Sequence, residues 1–446
     1  MGAAAVPSVS LARGVALYAG AVLGTGILAL PAIAAGTAGP ASILAWLALI
    51  GTSYPMALTY AALSQQRPDT AGFSGAIERA FGPAWGAVAG WLYLWQVPTG
   101  YVIPALIAGN YGASLIGGGR DAAFALGYGL VALAFLLNAV GLRVSTGAQL
   151  ISLGAITAGI ALIAARALGH VDAAAFHPFA PHGAAAVGLA AVQLFWAFVG
   201  WEAITPLSAE FQRPRDIRRA SLLAVAVVGV LYLALAVATV GTRAYGPGLA
   251  ANAPLVRMAA GTFGRSAAFA IGLAGFVLSF APINAYAAGI SRLASALARR
   301  GQLPRWLGEV SPSGTPRRAL GIMSILCLTA AALAYTRHWG IADLLPLSTS
   351  SFIATYVLSM AAAVRLLRGR LRWVAAVSLA ACCTVLIFVG PLLLAWLGGV
   401  VGCAVACQRV LAMRGPGARG RRGAHTESRV SGAPPAVVVD ADARAD

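Results

Sequence analysis

Lysine is absent from this 446-residue chain; its 31 basic residues are all arginine. Acidic residues number 13, and charged residues of both signs make up 10% of the chain. A soluble domain carries about 25% charged and roughly 45–50% apolar residues. Here 59% are hydrophobic and the mean hydropathy is +0.81. That excludes an ordinary soluble enzyme and a solvated disordered chain alike. Cysteine is scarce too. Cys327, Cys382, Cys383, Cys403 and Cys407 lie inside apolar runs without a CxxC spacing, and the five histidines are scattered. This excludes a disulfide framework and argues against a metal centre. No cofactor is implied. The formal charge is +18, yet the arginines sit at the ends of apolar runs rather than on a polar domain. They read as determinants of membrane topology and not as a nucleic-acid surface.

Long apolar runs are what the chain has instead. A bilayer crossing needs about 20 apolar residues, and twelve such segments are readable: 14–38, 41–63, 83–106, 122–142, 146–166, 187–209, 220–242, 266–290, 319–336, 341–364, 371–389 and 391–411. The continuous runs exclude a β-barrel, whose strands alternate over about 10 residues. The expected fold is therefore all-α and polytopic: a short N-terminal segment at 1–13, one transmembrane domain over 14–411, and a disordered cytoplasmic tail at 412–446. The small-residue stretch Ala29-Leu30-Pro31-Ala32 resembles a signal cleavage site, but the run continues past it. With both termini inside, 25 arginines fall on the cytoplasmic side and 6 on the other, as the positive-inside rule requires.

Two spans are interrupted in the same way. The first reads Gly20-Ala21-Val22-Leu23-Gly24-Thr25-Gly26-Ile27-Leu28-Ala29-Leu30-Pro31, with two glycines around a threonine at mid-span. The sixth reads Phe195-Trp196-Ala197-Phe198-Val199-Gly200-Trp201-Glu202-Ala203-Ile204-Thr205-Pro206, with a glycine, an acid and a proline. Glycine weakens a helix interior and proline breaks it. Paired breaks in corresponding positions of two halves point to a binding site at the bilayer midplane. Amides freed at a half-helix N-terminus suit a carboxylate, and carbonyls freed at a C-terminus suit an ammonium, so such a site suits a zwitterion.

These residues resemble the amino acid–polyamine–organocation transporters. Gly24-Thr25-Gly26-Ile27 is similar to that family's GxGI motif. Phe195 to Glu202, followed by Glu210-Phe211-Gln212-Arg213-Pro214-Arg215-Asp216-Ile217, resembles its sixth helix and the loop after it. Asn284-Ala285, Ser291-Arg292 and Ala298-Arg299-Arg300-Gly301-Gln302-Leu303-Pro304 resemble its eighth helix and following loop. The resemblance covers most of residues 12–365. It is strongest to bacterial exporters of methionine and branched-chain amino acids, through the stretch after span six and through Gly90-Trp91-Leu92-Tyr93-Leu94 with Val97-Pro98 in span three.

The resemblance implies a five-plus-five inverted repeat working by alternating access. It implies that the amides of Thr25 and Gly26 hold a substrate carboxylate, with Gly24 and Ile27 completing that turn. The carbonyls of Val22, Trp196 and Val199, beside Gly200, would hold the ammonium. The Trp196 ring would close over the substrate, and Glu202 would belong to the gate. Some proton-coupled members carry a lysine in span five, which this chain lacks, and Ser279 in span eight is a single candidate cation ligand.

Among single residues, Glu202 is the most informative. A mid-membrane acid is costly and marks a functional site by default; it either gates and senses protons or ties spans one and six together. Gln96, Asn284 and Tyr286 are candidate pocket-lining residues, with helix–helix hydrogen bonding as the alternative for each. Asp343 reads as an acid at the start of span ten. A pocket of Trp, Phe, Val, Ile and Gly with one acid suits an apolar side chain. The reading is a secondary active transporter in the plasma membrane for neutral, hydrophobic amino acids of the methionine and branched-chain type, most simply an exporter. An importer or exchanger of the same family, or a transporter-like membrane sensor, are the alternatives. Protons are the candidate coupling ion, the bilayer and the amino acid are the partners, and oligomeric state is left open.

Overall fold

The computed structural model describes residues 9–66, 72–141, 146–202, 211–246, 253–311 and 314–413. Along the chain run α1 (Leu11–Val22), α2 (Leu30–Ala38), α3 (Ser42–Gln66), α4 (Gly72–Phe81), α5 (Pro83–Trp95), α6 (Val97–Leu115), α7 (Arg120–Ala139), α8 (Thr146–Leu168) and α9 (Gly183–Leu194). They are followed by α10 (Pro214–Gly241), α11 (Pro254–Phe263), α12 (Arg265–Leu278), α13 (Phe280–Arg299), α14 (Arg317–Thr336), α15 (Ile341–Leu366), α16 (Arg370–Ile387) and α17 (Pro391–Met413). Among the described residues, eight helical stretches are long and apolar enough to cross a bilayer, and shorter apolar helices accompany them.

These helices group into the twelve expected spans, but four of the spans are jointed. Span one is α1 and α2 with a 3-10 turn, Thr25–Leu28, between them, and span six is α9 followed by a 3-10 turn, Phe195–Phe198. Span three is α5 plus α6 and runs to Leu115, beyond the 106 expected from hydropathy. Span eight is α12 plus α13 and runs to Arg299, beyond the expected 290. Both of these joints have one cause. Pro98 cannot donate to the carbonyl of Leu94, and Pro282 cannot donate to that of Leu278, so each helix restarts after a single intervening residue. Spans one and six hold matching places in spans one to five and six to ten.

The first helix begins at Leu11, capped by Ser10, whose hydroxyl accepts from the Arg13 amide at 3.4 Å. The tail from 414 onward, Arg67, Arg143, and the Ala203–Glu210 stretch with Thr205 and Pro206 lie outside the described residues. The core that positions the site is aromatic. Trp46 of α3, Phe198 of span six and Tyr232 of α10 pack with ring centroids 5.0–5.8 Å apart. Through this cluster α10 lies against both breaks.

Candidate functional site

At the first break α1 ends at Val22, and Gly24 takes an extended backbone (φ −56°, ψ −170°) before the 3-10 turn restarts at Thr25. The first amides of a helical turn have no carbonyl behind them, so those of Thr25 and Gly26 are available to an anion. Gly26 has a steric reason to lack a side chain: a Cβ there would sit 2.9 Å from Trp196 Cδ1 and 2.9 Å from Leu30 Cδ1. At the second break Val199 is extended and Gly200 has φ +132°, a conformation that favours glycine. A Cβ on Gly200 would lie 2.7 Å from the Ala21 carbonyl oxygen, so the two breaks touch backbone to backbone.

Side chains that sequence reading missed hold these breaks in register. Tyr232 Oη donates toward the Val22 carbonyl at 3.0 Å and the Ala197 carbonyl at 2.9 Å, one from each break. Tyr111 Oη donates to the Leu28 carbonyl at 2.8 Å. The only sequence signal for Tyr232 was a tyrosine inside an otherwise aliphatic run, and Tyr111 had none beyond its place beside Asn110 in an apolar span.

A cavity of about 370 Å3 opens at the first break. Val22, Gly24, Thr25 and Gly26 form one side of it, and Trp196 and Val199 another. Span eight (Leu278, Pro282, Tyr286) and Phe352 of α15 complete the wall, and no described wall residue carries a charge. The cavity runs along Ala16, Leu17 and Gly20, toward the N-terminal end of α1. Trp196 stands between this space and α15, its ring edge-on to Phe352 with centroids 5.6 Å apart.

The expected site residues divide into two groups. Val22, Gly24, Thr25, Gly26, Trp196, Val199 and Tyr286 are brought together on the wall. Ile27, Gly200, Glu202, Gln96 and Asn284 are not on it. Ile27 is buried in the apolar core behind the turn. Gln96 sits behind the Trp196 ring and accepts from Ser348 Oγ at 3.2 Å; Gly100 leaves the room for this, since a Cβ there would lie 2.6 Å from both atoms and 3.2 Å from Trp196 Cη2. Asn284 turns toward span four, where its side-chain oxygen accepts from Asn138 Nδ2 at 2.8 Å. Both therefore follow the helix–helix alternative. Val22 is constrained as well. Its carbonyl accepts from the Gly24 amide at 2.8 Å and shares the single Tyr232 hydroxyl proton with the Ala197 carbonyl, so at most one lone pair is left for an ammonium in this conformation.

Glu202 is buried at 9% exposed. Oε2 accepts from the Gly200 amide at 3.0 Å and from Tyr356 Oη of α15, while Tyr356 Oη also accepts from the Gly200 amide at 3.1 Å. The carboxyl thus closes the break of its own span onto span ten. Tyr356 stacks edge-on with Tyr60 and Phe195, at 5.6 and 5.4 Å. Asp343 accepts from the Gly340 amide at 2.8 Å at the start of α15, as expected of an acid there, and Thr349 and Ser350 donate to backbone carbonyls of their own helix. Ser279 Oγ donates to the Gly275 carbonyl at 2.6 Å, satisfying the joint of span eight.

Comparison with known proteins agrees with this architecture. A family model described as an amino acid permease matches residues 10–410. An uncharacterized amino acid permease of Bacillus subtilis is 36% identical over 394 residues, covering 87% of this chain and 92% of that protein. An L-methionine/branched-chain amino acid exporter of Escherichia coli is 31% identical over 383 residues, covering 85% and 91%. A branched-chain amino acid permease of Lactococcus lactis is 27% identical over 358 residues, covering 71% and 74%. With its breaks, its cavity and its full-length relatives in agreement, the chain belongs to the amino acid permease family within the amino acid–polyamine–organocation superfamily of multi-pass membrane transporters.

Proposed function

We propose that the protein exports neutral, apolar amino acids, methionine and the branched-chain residues, across the plasma membrane by alternating access. The observation that carries this reading is the composition of the cavity wall. Its side-chain polar groups are the Thr25 and Tyr286 hydroxyls and the Trp196 indole N–H, joined by backbone groups of the two breaks, and the other side chains are apolar. A zwitterionic head fits the break, and an uncharged side chain fits the walls. The cavity lies near the low end of the roughly 300–1,000 Å3 typical of small-molecule sites. Likeness to the methionine/branched-chain exporter supports the substrate class and the direction.

In this reading the Thr25 and Gly26 amides bind the carboxylate, the carbonyls of Trp196 and Val199 accept from the ammonium, and the Trp196 ring covers the side chain. Glu202 acts from behind, through the Gly200 amide and Tyr356, so its protonation bears on how the sixth span's break sits against α15. That makes protons the coupling ion. The arginine distribution supports both termini inside, which turns the open end of the cavity toward the cytoplasm, the side from which an exporter loads.

Two measurements test the proposal. Counterflow in proteoliposomes with a panel of amino acids at two pH values should show exchange of methionine, leucine, isoleucine and valine, and none of arginine, lysine or glutamate; flux of a charged substrate at equal rate refutes the class. A single cysteine at His177 should react with an impermeant thiol reagent from outside intact cells; protection there refutes the orientation.

A further inference from the structure

Away from the cavity, the α10–α11 end of the bundle holds a second concavity of about 450 Å3. It lies where α8 and α10 end, and its walls include His170, Asp172, Thr242, Arg243, Arg257 and Thr262. Arg166 adjoins it: its carbonyl meets His170 Nδ1 at 3.0 Å, and its guanidinium lies over the Phe263 ring at 5.6 Å. Three arginines and one acid thus lie in or beside this concavity. Asp172 is already engaged, accepting from the Ala174 amide at 2.9 Å and from Arg243 at 3.4 Å. Among the described residues Arg257 makes one hydrogen bond, also long, to the Tyr245 carbonyl at 3.4 Å. A guanidinium has five N–H donors in a fork that matches phosphate geometry, and each of these two arginines, on the wall of the concavity, spends few of them on the protein. The adjoining stretch 247–252 brings no charged residue.

Two further features bear on the ligand. Arg243 has φ +51°, a left-handed conformation that costs a non-glycine residue energy and turns the chain at the end of α10. Leu168, at the end of α8, and Phe263, at the end of α11, are both large, apolar and exposed beside the pocket. The ends of apolar spans lie at headgroup depth. A basic pocket with an apolar ledge at that depth matches a phosphate that carries acyl chains. On the orientation proposed above, these three are half of the six arginines on the non-cytoplasmic side, where topology alone disfavours them.

We infer that this pocket binds the phosphate of an anionic phospholipid through Arg243 and Arg257, with the acyl chains along Leu168 and Phe263. The test is independent of the transport reading and of membrane sidedness, because binding is measured directly. Full-length protein in detergent is titrated with short-chain phosphatidylglycerol, short-chain phosphatidylcholine or inorganic phosphate, and adducts are counted by native mass spectrometry. Wild type should prefer phosphatidylglycerol over phosphatidylcholine by about tenfold or more, because both carry the phosphate but choline sets a fixed cation beside Arg243 and Arg257. Combined Arg243→Gln and Arg257→Gln should erase that preference, whereas lysine at both positions should keep it within a few-fold. Asp172→Asn, which preserves the turn-capping group but removes the competing charge, should tighten phosphatidylglycerol binding, a gain that misfolding does not produce. Equal binding of the two lipids, or a preference that survives the double glutamine variant, overturns the inference. So does occupancy by inorganic phosphate alone at the lipid's own concentrations.

Discussion

Gly26→Ala adds one methyl group where the structure leaves no room for it. The new Cβ would stand 2.9 Å from Trp196 Cδ1, 3.4 Å from Trp196 Nε1 and 2.9 Å from Leu30 Cδ1. Carbon atoms rest at roughly 3.5–4.0 Å, so the indole must retreat by about 0.6–1 Å. It has little space to do so, with Phe352 edge-on behind it and its Cη2 against Gly100, Gln96 and Ser348. Overpacking of this kind costs roughly 1–3 kcal/mol. If the cost falls on the arrangement that binds substrate, the apparent affinity drops by about 5–150-fold. Gly26→Val should be worse, abolishing transport while folded protein still reaches the membrane. Gly24 is the internal control, since a Cβ there meets nothing within 4 Å; Gly24→Ala should cost several-fold less. The assay is equilibrium binding of labelled methionine and leucine to purified protein, with counterflow alongside. A second arm uses Trp196→Ala, which removes both indole atoms in the clash. Combined with Gly26→Ala it should be markedly less harmful than the two single effects added together. Gly26→Ala within twofold of wild type, or Gly24→Ala equal to it, refutes the argument that the Gly26–Trp196 contact shapes the site.

Glu202→Gln keeps shape and hydrogen-bonding capacity but cannot ionise; it should flatten the pH dependence of counterflow between pH 5 and 8 while leaving substrate binding within a few-fold, and an unchanged profile defeats the proton-coupling reading. Tyr232→Phe retains the ring packing on Trp46 and Phe198 but removes the hydroxyl that joins the two breaks. Thermal unfolding in detergent should show a loss of about 0.6–1.7 kcal/mol, the upper range for hydrogen bonds in membrane proteins; unaltered stability and transport show that the tyrosine does not couple the breaks.

Much of this protein follows from local sequence. Twelve crossings are legible because a bilayer demands about 20 apolar residues wherever the chain passes through it, independently of what packs against what. The two broken spans are legible because glycine, at Gly24, Gly26 and Gly200, weakens a helix through its own backbone freedom. Where Pro98 and Pro282 fall, the same local chemistry explains joints that hydropathy alone did not divide, since each proline silences one hydrogen bond of its own helix. Placement of side chains is a different matter. Gln96, Asn284 and Tyr286 are all polar residues in apolar helices, and nothing within their own spans separates the one that faces the cavity from the two that do not. Gln96 is turned aside by Ser348, 252 residues away, and Asn284 by Asn138, 146 residues away. Glu202 was conspicuous as an isolated acid, but its partner Tyr356 comes from span ten. Tyr232 became visible as the tie between the breaks only when α10 was laid across them. Helix number, breaks and overall polarity of the site are properties of the chain taken segment by segment. Which groups face the cavity depends on which span each helix meets, and that is decided by packing alone.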